Sequence, residues 1–312
     1  LPQPLVTHIA SHVDFYPEQA MADIALNLTL KNMHEEAIER VLVGGFALQH
    51  YDKVEIEGAE LTSFDVDLNQ YEFSFEKAFK PQEIRHLKVE MTYQQPSLFA
   101  ASMHQVVKPE FSYLRGVPIV PSVGFNPNMR IRKNAIRDDY DLAPIPMIPP
   151  SELFAEPHKI EGQYDWTTMH SIVSTPISQH GLAQGNLIKQ WKNDERSYYE
   201  YASPKPIRNI PAWLSLPFQP DMAHAEEIKL KVFSPAAKET NALHLSAMQI
   251  TSQWFLDNGM AHQFGELSLV STPDIGPAGY ALPGVLLINH KVGFRAFPTE
   301  NAGYDQRFRI TV

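Results

Sequence analysis

Thirteen histidines in 312 residues invite a search for a metal site, because imidazole is the commonest zinc ligand and two ligands on one helix must stand at i and i+4. His34-Glu35-Glu36 opens like H-E-x-x-H, but position 38 is Ile38, and the segment lies between strand-like stretches where a polar loop is the ordinary explanation. His8 and His12 have helical spacing in a segment that reads as extended, which sets them about 13 Å apart, too far for one ion. Asp138, Asp139 and Asp141 could hold a hard cation such as calcium. A solvated acidic turn beside Arg130, Arg132 and Arg137 is the plainer reading. The chain has no Cys, which removes disulfides, thiolate metal sites and Cys nucleophiles together. Nothing resembles a G-x-S-x-G elbow, a P-loop or a G-x-G-x-x-G cradle, so serine hydrolysis and nucleotide chemistry have no sequence support. Tyr198, Tyr199, Tyr201 and Trp213 could form a platform for a ligand such as a carbohydrate, although strand spacing favours core and cross-strand packing. Asn27-Leu28-Thr29 matches a glycosylation sequon, and an exposed strand face explains it equally well.

The elements that would carry these residues are mostly strands. Ile24, Leu26, Leu28 and Leu30 alternate with Ala25, Asn27, Thr29 and Lys31, the period of a pleated segment with one face in a core. Phe64, Val66 and Leu68 repeat the pattern, as do Tyr71, Phe73 and Phe75 after an Asn69-Gln70 turn, then Leu87, Val89 and Met91. This predicts an antiparallel meander folded as a sandwich or barrel. Ten prolines between Pro96 and Pro157 break the pattern and predict an irregular excursion, with a single short helix between Asn128 and Tyr140. Strands resume at Ser171–Ser174, Tyr198–Tyr201 and Trp213–Phe218, with Gly185-Asn186 and Asn193-Asp194 as hairpin turns.

The grammar changes near Pro217. A strand through Ile228, Leu230 and Val232 leads to a long helix on which Leu243, Ala247, Ile250 and Trp254 share a face, stopped by Asn258-Gly259. Another strand holds Leu267 and Leu269, and the unbroken run Val285-Leu286-Leu287-Ile288 implies a strand buried on both faces. Tyr304–Val312 reads either as a strand or as the first turns of a helix.

Composition bounds the partners. The apolar share is 44%, the charged share 20%, and 26 basic against 36 acidic residues leave a charge of -10, which repels phosphate backbones and anionic lipid. Nucleic acid is not an expected partner. No run approaches the roughly 18–20 apolar residues that cross a bilayer, and the first thirty residues lack the order of a signal peptide. The chain begins with Leu1, which suggests a piece cut from something longer.

The order of segments resembles the aminopeptidase N-like zinc metallopeptidases (gluzincins), above all the branch fused to bacterial ABC-type transporter permeases. Val13-Asp14-Phe15-Tyr16-Pro17-Glu18 and the strand Ile24–Leu30 look like the family's first strands, and Pro121-Ser122-Val123-Gly124-Phe125-Asn126-Pro127 looks like that branch's proline-rich excursion. Trp166, Ser171–Ser174 and Tyr199–Ile207 look like the end of its N-terminal β domain. Lys231-Val232-Phe233, the Trp254 helix and Leu267–Val270 look like the start of its thermolysin-like domain. Ala281-Leu282-Pro283-Gly284, leading into Val285–Ile288, stands where the family has its substrate-edge strand and G-A-M-E-N signature, so these four are the substrate-binding residues that the resemblance implies. They include no carboxylate to hold a substrate amine.

The resemblance implies a mainly β chain: a β-sandwich over residues 1–217, with its excursion at 96–157, then a partial α+β thermolysin-like domain over 218–312. The zinc-binding H-E-x-x-H would follow the segment Asp305–Val312, so zinc belongs to the parent and this fragment is expected to bind none and to hydrolyse nothing. Its role would be scaffold and cleft wall for a peptide or protein substrate. It would stand on the extracytoplasmic, periplasmic side of a bacterial inner-membrane protein, anchored by segments outside this chain. A non-catalytic binding module of a transporter is the alternative. A truncated apolar face would favour a homodimer.

Overall fold

The structure is a computed structural model that describes residues 2–45, 50–96, 105–116, 118–124, 130–145, 166–274 and 279–294. The first strands are β1 (Leu5–Tyr16), β2 (Met21–Lys31), β3 (Ile38–Gly44), β4 (Lys53–Ile56), β5 (Ala59–Asp65), β6 (Gln70–Phe79) and β7 (Ile84–Gln94). Then come β8 (Gln105–Lys108), β9 (Phe111–Arg115), β10 (Ser122–Val123), α1 (Asn134–Asp139), β11 (Trp166–Pro176) and β12 (His180–Ala183). They are followed by β13 (Asn186–Lys192), β14 (Arg196–Ala202), β15 (Ile207–Arg208) and β16 (Ala212–Leu216). The last part holds β17 (Asp221–Ala225), β18 (Ile228–Phe233), α2 (Lys238–Asp257), β19 (Glu266–Thr272), β20 (Gly279–Leu282), β21 (Val285–Asn289) and α3 (His290–Gly293).

The chain is mainly β, as the alternation requires. The largest sheet runs β13-β14-β11-β1-β2-β7-β4, with β15 beside β11; a second runs β10-β3-β6-β5 and a third β12-β16-β9-β8. Ile24, Leu26, Leu28 and Leu30 all point inward, in register with Val13 and Ile9 on one side and Val89 and Leu87 on the other. Burial of each contributes about 1.5–3 kcal/mol. The second sheet faces them with Val41, Val43 and Phe73, and the third with Tyr113, Trp213 and Leu214, in one continuous core. The large sheet is antiparallel except where β1 meets β11 in parallel, a pairing across 160 positions that short-range alternation does not encode.

Three local expectations need correction. Phe64, Val66 and Leu68 do not form a buried stripe: β5 ends at Asp65, whose carboxylate accepts the Asp67 and Leu68 backbone N–H groups at 3.0 Å. That turn leaves all three apolar side chains exposed. Gly185-Asn186 is not a hairpin, because β12 pairs with β16 while β13 pairs with β14; the chain changes sheets there. Gly185 sits at φ 102, where an added Cβ would lie 2.5 Å from the Ala202 carbonyl. Asn193-Asp194 does close the β13–β14 hairpin, its Asn193 carboxamide accepting from Glu195 and Arg196. The helix within 128–140 shrinks to the six residues of α1; Asn128 itself, much of the excursion, and Tyr304–Val312 lie outside the described residues.

The last part is a five-stranded sheet, β17-β18-β19-β21-β20, in which β18, β19 and β21 are parallel and α2 lies on β17 and β18. As the unbroken apolar run requires, β21 is covered twice: Val285 and Leu287 join the sandwich core, Leu286 and Ile288 the core under α2. Gly259, at φ 74, ends α2 with its N–H on the Leu256 carbonyl. The inward face of α2 differs from the expected one. Thr240, Asn241, His244, Leu245, Ala247, Met248 and Ser252 are buried, while Ile250 and Trp254 are 65% and 56% exposed.

Candidate functional site

The four residues expected to meet substrate are split between an edge and a turn. Ala281 and Leu282 lie on β20, which among the described residues has β21 as its only neighbour, so every second residue of β20 turns backbone N–H and C=O groups outward. Pro283 and Gly284 form the two-residue turn into β21, with Gly284 at φ 77. The Gly284 carbonyl accepts from Ser268 N at 3.0 Å, and the ring of Phe264 packs 3.5 Å from the position of a Cβ on Gly284. Leu282 is buried in the sandwich core, and Tyr280 stacks under Arg115 at 4.5 Å, so the edge strand is pinned against the sandwich by its side chains.

A separate cavity of about 400 Å³ opens where the carboxyl ends of β18, β19 and β21 approach the β8–β9 turn, past the amino end of β20 and at the other end of the hairpin from Pro283-Gly284; no residue of β20 lines it. This is where an open α/β sheet places its ligands, because successive parallel strands end there and their loops diverge. Ser271, Pro273 and Asp274 come from the end of β19, His290 and Lys291 from the end of β21, Pro235 from the end of β18, Glu110 from the β8–β9 turn and Phe218 from the link between β16 and β17. Ser271 Oγ and His290 Nδ1 are 3.0 Å apart, and Lys291 pairs with Asp274. The imidazole of His290 stacks on Phe294, which also carries the buried His244. Burial holds the His244 pKa below its ordinary value. Asn289 fixes the turn, accepting from Lys291 N at 2.9 Å and donating to the Pro273 carbonyl. The cleft therefore offers a hydroxyl, an imidazole, a carboxylate–ammonium pair and a proline-lined wall to a polar chain such as a peptide.

Within the five-stranded sheet β18 and β19 share a buried charge pair, to which the sandwich is joined through β13. Lys231 Nζ meets Glu266 Oε2 at 2.5 Å, and Glu266 Oε1 accepts from Leu187 N on β13 at 2.7 Å. His180 packs between Tyr199 and Phe233. Burial and then the Lys231 charge pull its pKa down to about 4, so it is neutral at pH 7. Burial and the Glu266 charge push the Tyr201 phenol far up, and its hydroxyl donates to the Gly181 carbonyl.

The remaining candidates resolve as structural groups. Trp213, Tyr199 and Tyr201 are buried, and Trp213 Nε1 donates to Ser11 Oγ at 2.9 Å, so these rings are core and offer no carbohydrate platform. Tyr198 stacks instead on Trp191. His34 sits in the β2–β3 loop against the Gln3 carbonyl, and His8 and His12 lie along extended β1, contacting Thr168 and Asp14. Arg137 of α1 donates to the Ala143 and Ile131 carbonyls. Among the described residues no three His, Asp or Glu side chains converge to hold a metal. Ser271, His290 and Glu110 escaped the sequence reading. The signal was available for two: polar residues directly after apolar strands, as in Ser271-Thr272-Pro273-Asp274 and Asn289-His290-Lys291.

The chain matches no protein-family model, and no curated protein matches its sequence. Solved structures do. It is similar to an M1 zinc metallopeptidase from Deinococcus radiodurans, at TM-score 0.60 and 11% identity, covering 93% of this chain and 61% of that one. A variant of the Deinococcus enzyme solved with a Tyr-Ser-Ala substrate aligns at TM-score 0.57 and 12% identity, with the same coverage. A two-domain M1 zinc metallopeptidase variant bound to L-arginine aligns at 0.60 and 11%, again over 93% and 61%. The shared property is the fold, and the chain spans about three-fifths of the length of these neighbours.

Proposed function

We propose that this chain is the β scaffold and one wall of the peptide cleft of an aminopeptidase N-like zinc metallopeptidase, without catalysis of its own. The observation that carries the reading is the open edge of β20, among the described residues, in the same sheet whose parallel strands end at the cavity that holds Ser271, His290 and Glu110. An extended peptide adds to β20 through backbone hydrogen bonds, with Ala281, Leu282, Pro283 and Gly284 shaping the strand, and continues past the amino end of β20 toward the cavity. The division is 1–217 for the sandwich and 218–312 for the start of the metallopeptidase-like domain. Zinc and its ligands belong to parts of the parent outside this chain, a reading supported by the named activity of the fold neighbours. The sequence resemblance supports an extracytoplasmic position in a bacterial permease fusion; no helix among the described residues is long and apolar enough to cross a membrane.

The test is amide-resolved NMR during titration with a short extended peptide such as Tyr-Ser-Ala. Shifts centred on Gly279–Leu282 and Ser271 are expected, and shifts confined to other surfaces would overturn the reading. Chelator-sensitive peptide cleavage by the pure chain would overturn the claim that it is non-catalytic. The second reading, a binding module in a parent with no peptidase activity, is favoured by the absence of a carboxylate from Tyr280-Ala281-Leu282. A cleavage assay on the intact parent separates the two.

A further inference from the structure

The opposite edge of the five-stranded sheet among the described residues, β17, carries a second feature, unconnected with the cleft. The Glu226-Glu227 turn joins β17 to β18 and makes Ala225 and Ile228 a hydrogen-bonded pair; Ala223 and Asp221 then also bond inward, and Met222 and His224 present N–H and C=O groups to the open side. The His224 carbonyl shows this phase directly, since it accepts from Gln249 Nε2 of α2 at 2.7 Å. Ala223 and Ala225 point toward α2 and join the core with Leu245 and Met248. Between β17 and the flank of α2 runs a groove of about 560 Å³ whose apolar wall is Ile250 and Trp254. Both are more than half exposed, while α2 buries Thr240, Asn241 and His244 against the sheet. The helix thus shows water the stripe that hydrophobicity alone would bury. Glu226 and Asp257 border the groove, and Glu227 adjoins it.

We propose that this edge receives an extended segment of another protein, apolar at alternating positions and carrying Lys or Arg where it meets Glu226 and Asp257. A strand laid beside β17 takes its backbone bonds from Met222 and His224, displacing Gln249, and stands alternate side chains against Ile250 and Trp254. Charge argues for a basic partner over a second copy, because a two-fold contact would oppose the same acidic border, and each copy carries a charge of -10.

The probe is a fluorescent Lys-Val-Thr-Ile-Thr-Val-Lys peptide, capped at both ends and titrated into the full chain by anisotropy. A control peptide carries Glu at both ends. Saturable binding is expected, about tenfold weaker for the Glu-ended peptide and about tenfold weaker for both Ile250→Glu and Met222→Pro. Circular dichroism checks that the variants fold; should Met222→Pro fail, the exposed Ile250→Glu decides. Three results would overturn the proposal: no saturable binding, binding that survives Ile250→Glu, or sedimentation showing a native dimer that Ile250→Glu splits, which would give the groove to a second copy.

Discussion

Two apolar series of the same length end in opposite places. Ile24, Leu26, Leu28 and Leu30 on β2 are all buried, whereas of Leu243, Ala247, Ile250 and Trp254 on α2 only Ala247 is. On β2 a single alternation defines two faces, and the stacked sheets leave one of them no exposure to water. On α2 two overlapping stripes compete, and the one chosen is the one whose small and polar members, among them Asn241 on Asp221, fit the β17–β18 surface. Helical periodicity names a candidate face, and the surface beneath the helix selects it.

The sharpest way to break this comparison is to make the same substitution in both regions. Trp213→Ala, which empties a fully buried site, should cost about 3–5 kcal/mol in urea unfolding, and Trp254→Ala less than about 0.5 kcal/mol. Equal costs would mean that α2 is covered in solution. At the junction, Glu266→Ala leaves Lys231 buried and unpaired and should cost about 3–5 kcal/mol, whereas Lys231→Met with Glu266→Leu should recover much of the loss. A double variant as unstable as the single one would show that the lost Leu187 hydrogen bond to Glu266, and not the unpaired Lys231 charge, carries the cost.

A smaller effect is set by pH. His180 stays neutral to about pH 4 in the folded chain, while the unfolded chain takes up its proton near 6.5. Between those values the unfolded state binds more protons, so stability falls as pH drops from about 6.5 to about 4, by about 2–3 kcal/mol from this group. His244 adds in the same direction. His180→Phe should flatten the pH profile, and an unchanged slope would assign it to other groups. Smallest of the four, Gly284→Ala forces a Cβ into φ 77 and should cost about 1 kcal/mol by thermal unfolding while leaving the other sheet edge untouched.

Much of this molecule was legible in its residues. The mainly β class, the inward faces of β2, β6 and β7, the doubly covered β21 and the Gly259 stop all follow from rules spanning a few positions, because pleat and turn geometry act locally. The substrate-facing set was legible only as a place in a series; that Ala281 lies on an open edge and Pro283 in its turn depended on which strands pair. The rest belonged to tertiary structure alone. The parallel match of β1 with β11, the Lys231–Glu266 pair, the meeting of Glu110 with Ser271 and His290, and the outward turn of Trp254 each join residues far apart in the chain or weigh one packing surface against another. No local pattern records such choices, since their energies exist only once the sheets have met.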